Sequence, residues 1–229
     1  MKIGFHGCDL PEGKHKYDDP RMAALVGKFS PKKVTPYYIE ICAGGVEQMD
    51  CILAMRDAVL DVLIPDIEFC ESRGERAEDP AEKQLLEKCQ VALEDETPLC
   101  HVNFTDEEKL LLQGWTLVTR TPVVILDDPP MPEDAIEKGL AGAGIVFFYT
   151  AGPKEVHAWA VEKDADIVTC AGTIHSDLAR GFIRADVVSF DDMMTAHNFN
   201  DAKAKGLCKQ VGKDYTIQPG DIIEVHFSV

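Results

Sequence analysis

GFHGCDLPEGKHKYDDP, residues Gly4 to Pro20, has the layout of a phosphate-binding loop with several of its parts exchanged. An apolar strand-like run, MKIGFHG, leads into a loop that closes on Gly13-Lys14. A working loop reads G-x-x-x-x-G-K-[ST]. Its backbone N–H groups ring the phosphates, its lysine reaches the β/γ oxygens and its hydroxyl holds Mg²⁺. Here Cys8 stands five residues before Gly13, and Gly7 comes one residue too early. His15 replaces the hydroxyl residue, and Mg²⁺ takes oxygen ligands. Asp9 and Glu12 bring negative charge to an anion cradle. The helix that should follow and point its N-terminus at the phosphates is replaced by Tyr17-Asp18-Asp19-Pro20. If the loop still holds a nucleotide, Gly7, Gly13 and Lys14 are the residues that hold it.

The chain beyond this loop alternates helix and strand. Asp19 caps and Pro20 opens a short helix over DPRMAALVGKF, with Met22, Leu25, Val26 and Phe29 on one face. Tyr37 to Cys42 reads as a strand ended by Ala43-Gly44-Gly45. From Asp50 to about Glu71 the positions Ile52, Leu53, Met55, Val59, Leu60, Leu63, Ile67 and Cys70 fit a helix that Pro65 kinks or divides. A second helix carries Leu85, Leu86, Cys89 and Leu93, so the two form an antiparallel hairpin ending near Pro98. Thr105 and Glu108 spell a capping box. Val123 to Leu126 is an apolar strand, and IEKGLAGAGIVFFYTAG gives a short helix, a turn and a strand. After Gly152-Pro153 the texture becomes β-rich. KEVHAWAV alternates, IVTCAGTIHSDLARGFIRADVVSF reads as strand, turn, short helix and strand, and DYTIQPGDIIEVHFSV reads as a hairpin-like strand pair.

Composition narrows the function classes. The formal net charge is −17 over 229 residues. Residues 1–149 hold 15 Lys/Arg against 28 Asp/Glu, and residues 150–229 hold 8 against 12. Such a chain repels phosphate backbones, so DNA is not an expected partner, although a local basic face could meet RNA. The eight cysteines form no C-x-x-C and no zinc-finger spacing, and they read as free thiols in a reducing cytosol. No apolar run approaches a bilayer span and the N-terminus lacks a signal-peptide pattern, so a cytoplasmic protein without membrane association is expected.

Three separated C-terminal blocks, FFYTAGPKEVHAWAV, AGTIHSDLARGFIRADVVSFDDM and GKDYTIQPGDIIEVHFSV, closely resemble the TGS (DUF933-type) domain that ends proteins of the YchF, or Obg-like ATPase, family. Upstream, DDPRMAALVGKFSPKKVTPYYIEI resembles the family segment leading into its Walker B strand, and FTDEEKLLLQGWTLVTRTPVVIL echoes another family block. The resemblance implies an α/β architecture. It consists of a reduced P-loop NTPase-like α/β domain (1–49 and 99–149), a shortened coiled-coil arm as a helical hairpin (50–98), and a β-grasp, ubiquitin-like TGS domain (150–229).

Against that family pattern, the nucleotide site is altered at four places. They are the loop, the metal hydroxyl, the Walker B carboxylate (Ile41 at the matching position, with Glu40 one residue off) and the base reader, where Leu126-Asp127-Asp128 offers no Asn. The expectation is therefore a binding or regulatory protein without NTP hydrolysis, needing no cofactor. By resemblance it has a role linked to the ribosome, RNA or a protein partner through its TGS domain. The alternative is an ATP- or GTP-binding protein that uses the modified loop with Mg²⁺. Lys154, His157, Arg180 and Arg184 are the cationic residues expected to meet a partner or RNA phosphate. His175-Ser176-Asp177 reads as a helix start, with Ser176 or Asp177 as cap, and not as a catalytic set. Trp115 and Trp159 read as packing, and Asp127, Asp128, Glu133 and Asp134 read as a solvated turn. No metal site is expected.

Overall fold

The computed structural model describes residues 1–44 and 48–228. Gly45, which closes the expected Ala43-Gly44-Gly45 turn, lies outside the described residues. The strands are β1 (Lys2–His6), β2 (Gly13–Lys16), β3 (Lys33–Thr35), β4 (Tyr38–Ala43), β5 (Cys51–Met55), β6 (Val123–Leu126), β7 (Ile145–Ala151), β8 (Glu155–Glu162), β9 (Phe182–Val188), β10 (Lys209–Val211) and β11 (Ile222–Phe227). The helices are α1 (Pro20–Phe29), α2 (Val59–Gly74), α3 (Pro80–Glu94), α4 (Asp106–Leu112), α5 (Pro132–Gly142), α6 (Ile167–Ile174), α7 (Ser176–Arg180), α8 (Phe190–Thr195) and α9 (Phe199–Ala204). They group into two units. One holds Met1–His15 with Ile39–Ala143, and the other holds Lys16–Tyr38 with Gly144–Val229.

The first unit is P-loop-like: a sheet of order β2-β4-β1-β5-β6, with β1 parallel to both β4 and β5, and β5 parallel to β6. Central parallel strands are buried on both faces and so lose polar alternation. All five residues of β5 are buried. That explains one departure from the sequence reading: Ile52, Leu53 and Met55 lie on this strand, and the helix begins only at Val59. α2 then runs through Pro65 without division. α3 is capped by Asp79, whose carboxylate accepts from Ala81 N at 3.0 Å. The two helices form the expected hairpin, with Leu63, Leu85, Leu86, Cys89 and Leu93 in one core. Buried Asp66 ties it to the segment before β6 by accepting from Val118 N (2.7 Å), Thr119 N (2.8 Å) and Thr119 Oγ1 (2.6 Å). The capping box of α4 forms in both directions. α5 lies close on the sheet because Gly139 and Gly142 face Ile3 and Val124, where a Cβ would come within 2.3 Å of each.

The second unit is a mixed sheet of order β10-β9-β11-β7-β8-β3. β7 pairs antiparallel with β8 and parallel with β11, and β11 pairs antiparallel with β9. Without β3 this is the strand order of a β-grasp. Phe148, Val161, Ile167, Cys170, Phe182, Val187 and Ile223 form its core. Ile167 to Cys170 is helical where the sequence reading had a strand. Asp166 accepts from Thr169 N at 2.7 Å and starts α6, a local cap that overrides the β-branched run. His175, and neither Ser176 nor Asp177, caps α7, with Nδ1 accepting from Asp177 N at 3.1 Å. The C-terminal stretch supplies one strand and not a hairpin. β11 pairs with β9 and β7, while Thr216 bridges to Asp166.

Residues 16–38, read from the sequence as part of the nucleotide-binding-like domain, belong with this second unit, and the later boundary falls before Gly144. Three contacts explain it. β3 extends the sheet in parallel beside β8. Tyr17 stacks on Phe147 with ring centroids 5.2 Å apart. Asp19 accepts the hydroxyl of buried Tyr149 at 2.5 Å. Among the described residues no helix is long and apolar enough to cross a membrane.

Tyr149→Phe removes that donor and leaves a buried carboxylate short of a partner. It should cost about 1–3 kcal/mol of stability in urea denaturation; an unchanged midpoint would show that the bond is not an anchor.

Candidate functional site

The loop after β1 is shaped by its own packing. Gly7 has φ 78°, and a Cβ there would meet the Cβ of Ala58 at 2.5 Å and of Met55 at 2.8 Å. Only glycine fits. Leu10 is buried and pins the middle of the loop. His15 Nε2 lies 2.7 Å from Pro11 O, which closes the far side. Glu12 reaches the end of β4, accepting from Ala43 N at 3.4 Å. Gly13 takes φ 113° in open space, and the chain then enters β2, so exposed Lys14 sits on a strand and not at the first turn of a helix. The next helix, α1, has its N-terminus occupied by Asp19, which accepts from Arg21 N at 2.9 Å.

The other elements of a nucleotide site are equally placed by the sheet. In β4, Ile41 is 1% exposed opposite Ile3, while Glu40 points out to solvent. At the end of β6, Asp127 pairs with Arg56 at the end of β5 (2.6 Å). His6 closes β1, and among the described residues its Nε2 is a buried nitrogen without a hydrogen-bond partner. Sequence reading did not single it out, because nothing in its neighbours marks it.

The four cationic candidates of the second unit do not form one cluster. Lys154 is exposed in the β7–β8 turn, and its carbonyl accepts from Lys33 N at 3.2 Å. His157, on β8, stacks on Trp159 with centroids 3.6 Å apart. Burial pushes the His157 pKa down against the pull of Glu155. Trp159 donates to Thr150 Oγ1 at 3.1 Å and lies beside Phe148, a packing role as read. Arg180, at the end of α7, is bound to Asp177 at 2.7 Å. Arg184 is exposed on β9 opposite His226. β11 and β7 separate β9 from β8. The neighbours of Lys154 that the sequence reading missed are Lys32 and Lys33, because their segment was assigned to the other domain.

A second group emerges on β9 and β11. Asp186, Glu224 and His226 bring one ligand atom each within 4.8 Å of one another. The cation among them is Lys203, whose Nζ lies 2.7 Å from Asp186 and 3.2 Å from Glu224. Burial disfavours the Asp186 carboxylate, but hydrogen bonds from Lys203, His226 and Gln210 outweigh it and hold its pKa at about 2.

Residues 145–228 match the family model YchF-GTPase_C, described as a protein of unknown function (DUF933). The ribosome-binding ATPase YchF of Bacillus subtilis (strain 168) is 25% identical over 254 residues, covering 82% of this chain and 69% of its own length. Obg-like ATPase 1 of Oryza sativa subsp. japonica is 43% identical over 94 residues, which cover 41% of this chain and 24% of that protein. The match therefore spans about a quarter of the plant relative. Among solved structures, the Schizosaccharomyces pombe YchF GTPase superposes with a TM-score of 0.76 over 99% of this chain and 97% of that one, at 18% identity. At that identity the likeness speaks for the fold.

The low Asp186 value fixes a pH dependence. A carboxylate depressed on folding contributes stability above its unfolded value of 3.8, and that stability is lost as pH falls toward about 2. Urea midpoints taken across this window should fall more steeply for the parent protein than for Asp186→Asn. Parallel slopes would mean that the network does not stabilise the fold.

Proposed function

We propose that this chain, a YchF/Obg-like family member, works as a binding or regulatory protein through its C-terminal, TGS-like unit, without hydrolysing nucleotide. The observation that carries this reading is the course of the chain after the loop: Gly13-Lys14 opens strand β2, and among the described residues no helix offers its N-terminus to a phosphate there. A P-loop works by pointing several N–H dipoles and a helix end at one anion. In this chain Glu12 sits on the β4 amide at that edge, and Asp9 adds further negative charge. Without an oxygen ligand at His15 or at the end of β4, Mg²⁺ would have little to hold it.

The partner class follows from the relatives. The Bacillus subtilis relative is named a ribosome-binding ATPase. The C-terminal unit here is close to neutral: it holds 13 Lys/Arg and 14 Asp/Glu, against 10 and 26 for the first unit. An anionic ribosomal surface is repelled less by the former, which makes the C-terminal unit the side that docks.

A second reading has its own support. The relatives are named ATPases or a GTPase. His6 Nε2 also lies buried, without a hydrogen-bond partner among the described residues, at the carboxyl end of the central parallel strand, where α/β sheets bind ligands. Nucleotide binding there would be a remnant of the family site, with Gly7, Gly13 and Lys14 nearby in the chain.

Phosphate release from ATP and from GTP, each with Mg²⁺, separates the two. The binding reading predicts release no faster than in a protein-free blank, and no change in Lys14→Ala. Turnover that disappears in Lys14→Ala would make this chain an NTPase.

A further inference from the structure

β3 is the outer strand of the six-stranded sheet, and one of its edges has no neighbouring strand among the described residues. Its register with β8 places Lys33 opposite Glu155, Val34 opposite Val156 and Thr35 opposite His157. Lys33 donates its N–H inward, to Lys154 O. Hydrogen bonding alternates along a parallel ladder, so the N–H and C=O of Val34 point outward. Val34 is 44% exposed. Beside it runs a groove of about 500 Å³ lined by Met22, Ala23, Val26, Val34 and Pro36 together with the polar stretch 16–19. A free edge next to an apolar groove is the arrangement that takes an added strand: main-chain bonds hold it, and the groove receives an alternate side chain.

Charge says which strand. The whole chain carries −17, yet residues 16–38 hold five Lys/Arg against two Asp. Lys32 and Lys33 are both exposed at the start of β3. Lys33 is partly answered by Glu155 at 2.8 Å and Lys16 by Asp18 at 3.2 Å. Edge strands are commonly guarded by lysine and proline so that like edges do not pair. Pro31 and Pro36 flank this one, and two copies of it would set lysine against lysine. The same lysines favour an acidic strand. Nucleic acid is served less well, because the aromatic ring in the groove lining, Tyr17, is already stacked on Phe147.

We propose that the free edge of β3 and its adjoining groove form a docking site for a short, extended, acidic peptide segment of a protein partner. The peptide adds beside Val34, sets an apolar side chain into the groove between α1 and β3, and faces its acids toward Lys32 and Lys33. This inference is independent of the nucleotide loop and of the ribosome reading.

The test is fluorescence anisotropy of the full chain with a fluorescein-labelled peptide of alternating Glu and Val. The Lys/Val counterpart and a labelled twelve-nucleotide oligouridine serve as comparison probes. Saturable binding of the acidic peptide alone is expected. It should weaken about tenfold or more in Lys32→Glu/Lys33→Gln, whose positions are exposed, and also in Val34→Pro, which deletes the outward N–H but no bond to β8. Circular dichroism and thermal melting confirm that each variant is folded. No binding of the acidic peptide up to about 1 mM, or binding unchanged in folded variants, overturns the proposal. Preference for the oligouridine, lost in the lysine variant, would make this surface an RNA site instead.

Discussion

One carboxylate fixes the course of residues 16–38. Asp19 caps α1 through the amide of Arg21 and takes the hydroxyl of buried Tyr149 from β7. A buried acid needs donors, and both are supplied by the element it starts and the strand it lies against. Burial foremost, and then Asp19 itself, keeps the Tyr149 phenol protonated by raising its pKa, so it stays a donor. With α1 fixed in this way, β3 follows onto the edge of the sheet beside β8. The chain between the loop and β4 is therefore committed to the C-terminal unit, and the loop has no helix of its own.

That commitment links the altered loop to the rest of the molecule. In a working P-loop the strand, loop and following helix form one device. Here the strand and the parallel sheet around it persist, with β1 between β4 and β5. Gly7 persists too, for a packing reason: its neighbours Ala58 and Met55 leave no room for a side chain. The glycine that suggested a phosphate cradle is demanded by the fold whether or not a phosphate is bound. Functional interest then shifts to the C-terminal unit, where the charge balance is nearest neutral and the sheet has an edge to offer.

Much of this was legible in the sequence. Local chemistry announced the caps at Asp19 and Thr105, the strands β1, β4 and β6 of the P-loop-like sheet, and the helical hairpin with its leucine stripe. What stayed hidden was set by tertiary context. A fully buried strand such as Cys51–Met55 has no period of two to reveal it, and it was read into the following helix. Ile167 to Cys170 has β-forming side chains, but a cap and core packing make it helical. The attachment of residues 16–38 to the second unit rests on Tyr149, distant in sequence. For the same reason Lys32 and Lys33 went unnoticed beside Lys154, as did the Asp186–Lys203–Glu224–His226 network, whose members come from two strands and a helix.

We propose that the glycine loop serves the fold and holds no nucleotide. Amide resonances of ¹⁵N-labelled protein, followed while a non-hydrolysable ATP analogue with Mg²⁺ is added, test it at the residues concerned. The account predicts that the Gly7, Gly13 and Lys14 amides stay in place through the titration. Saturable shifts of those three amides, as hydrogen bonds to phosphate form, would contradict it.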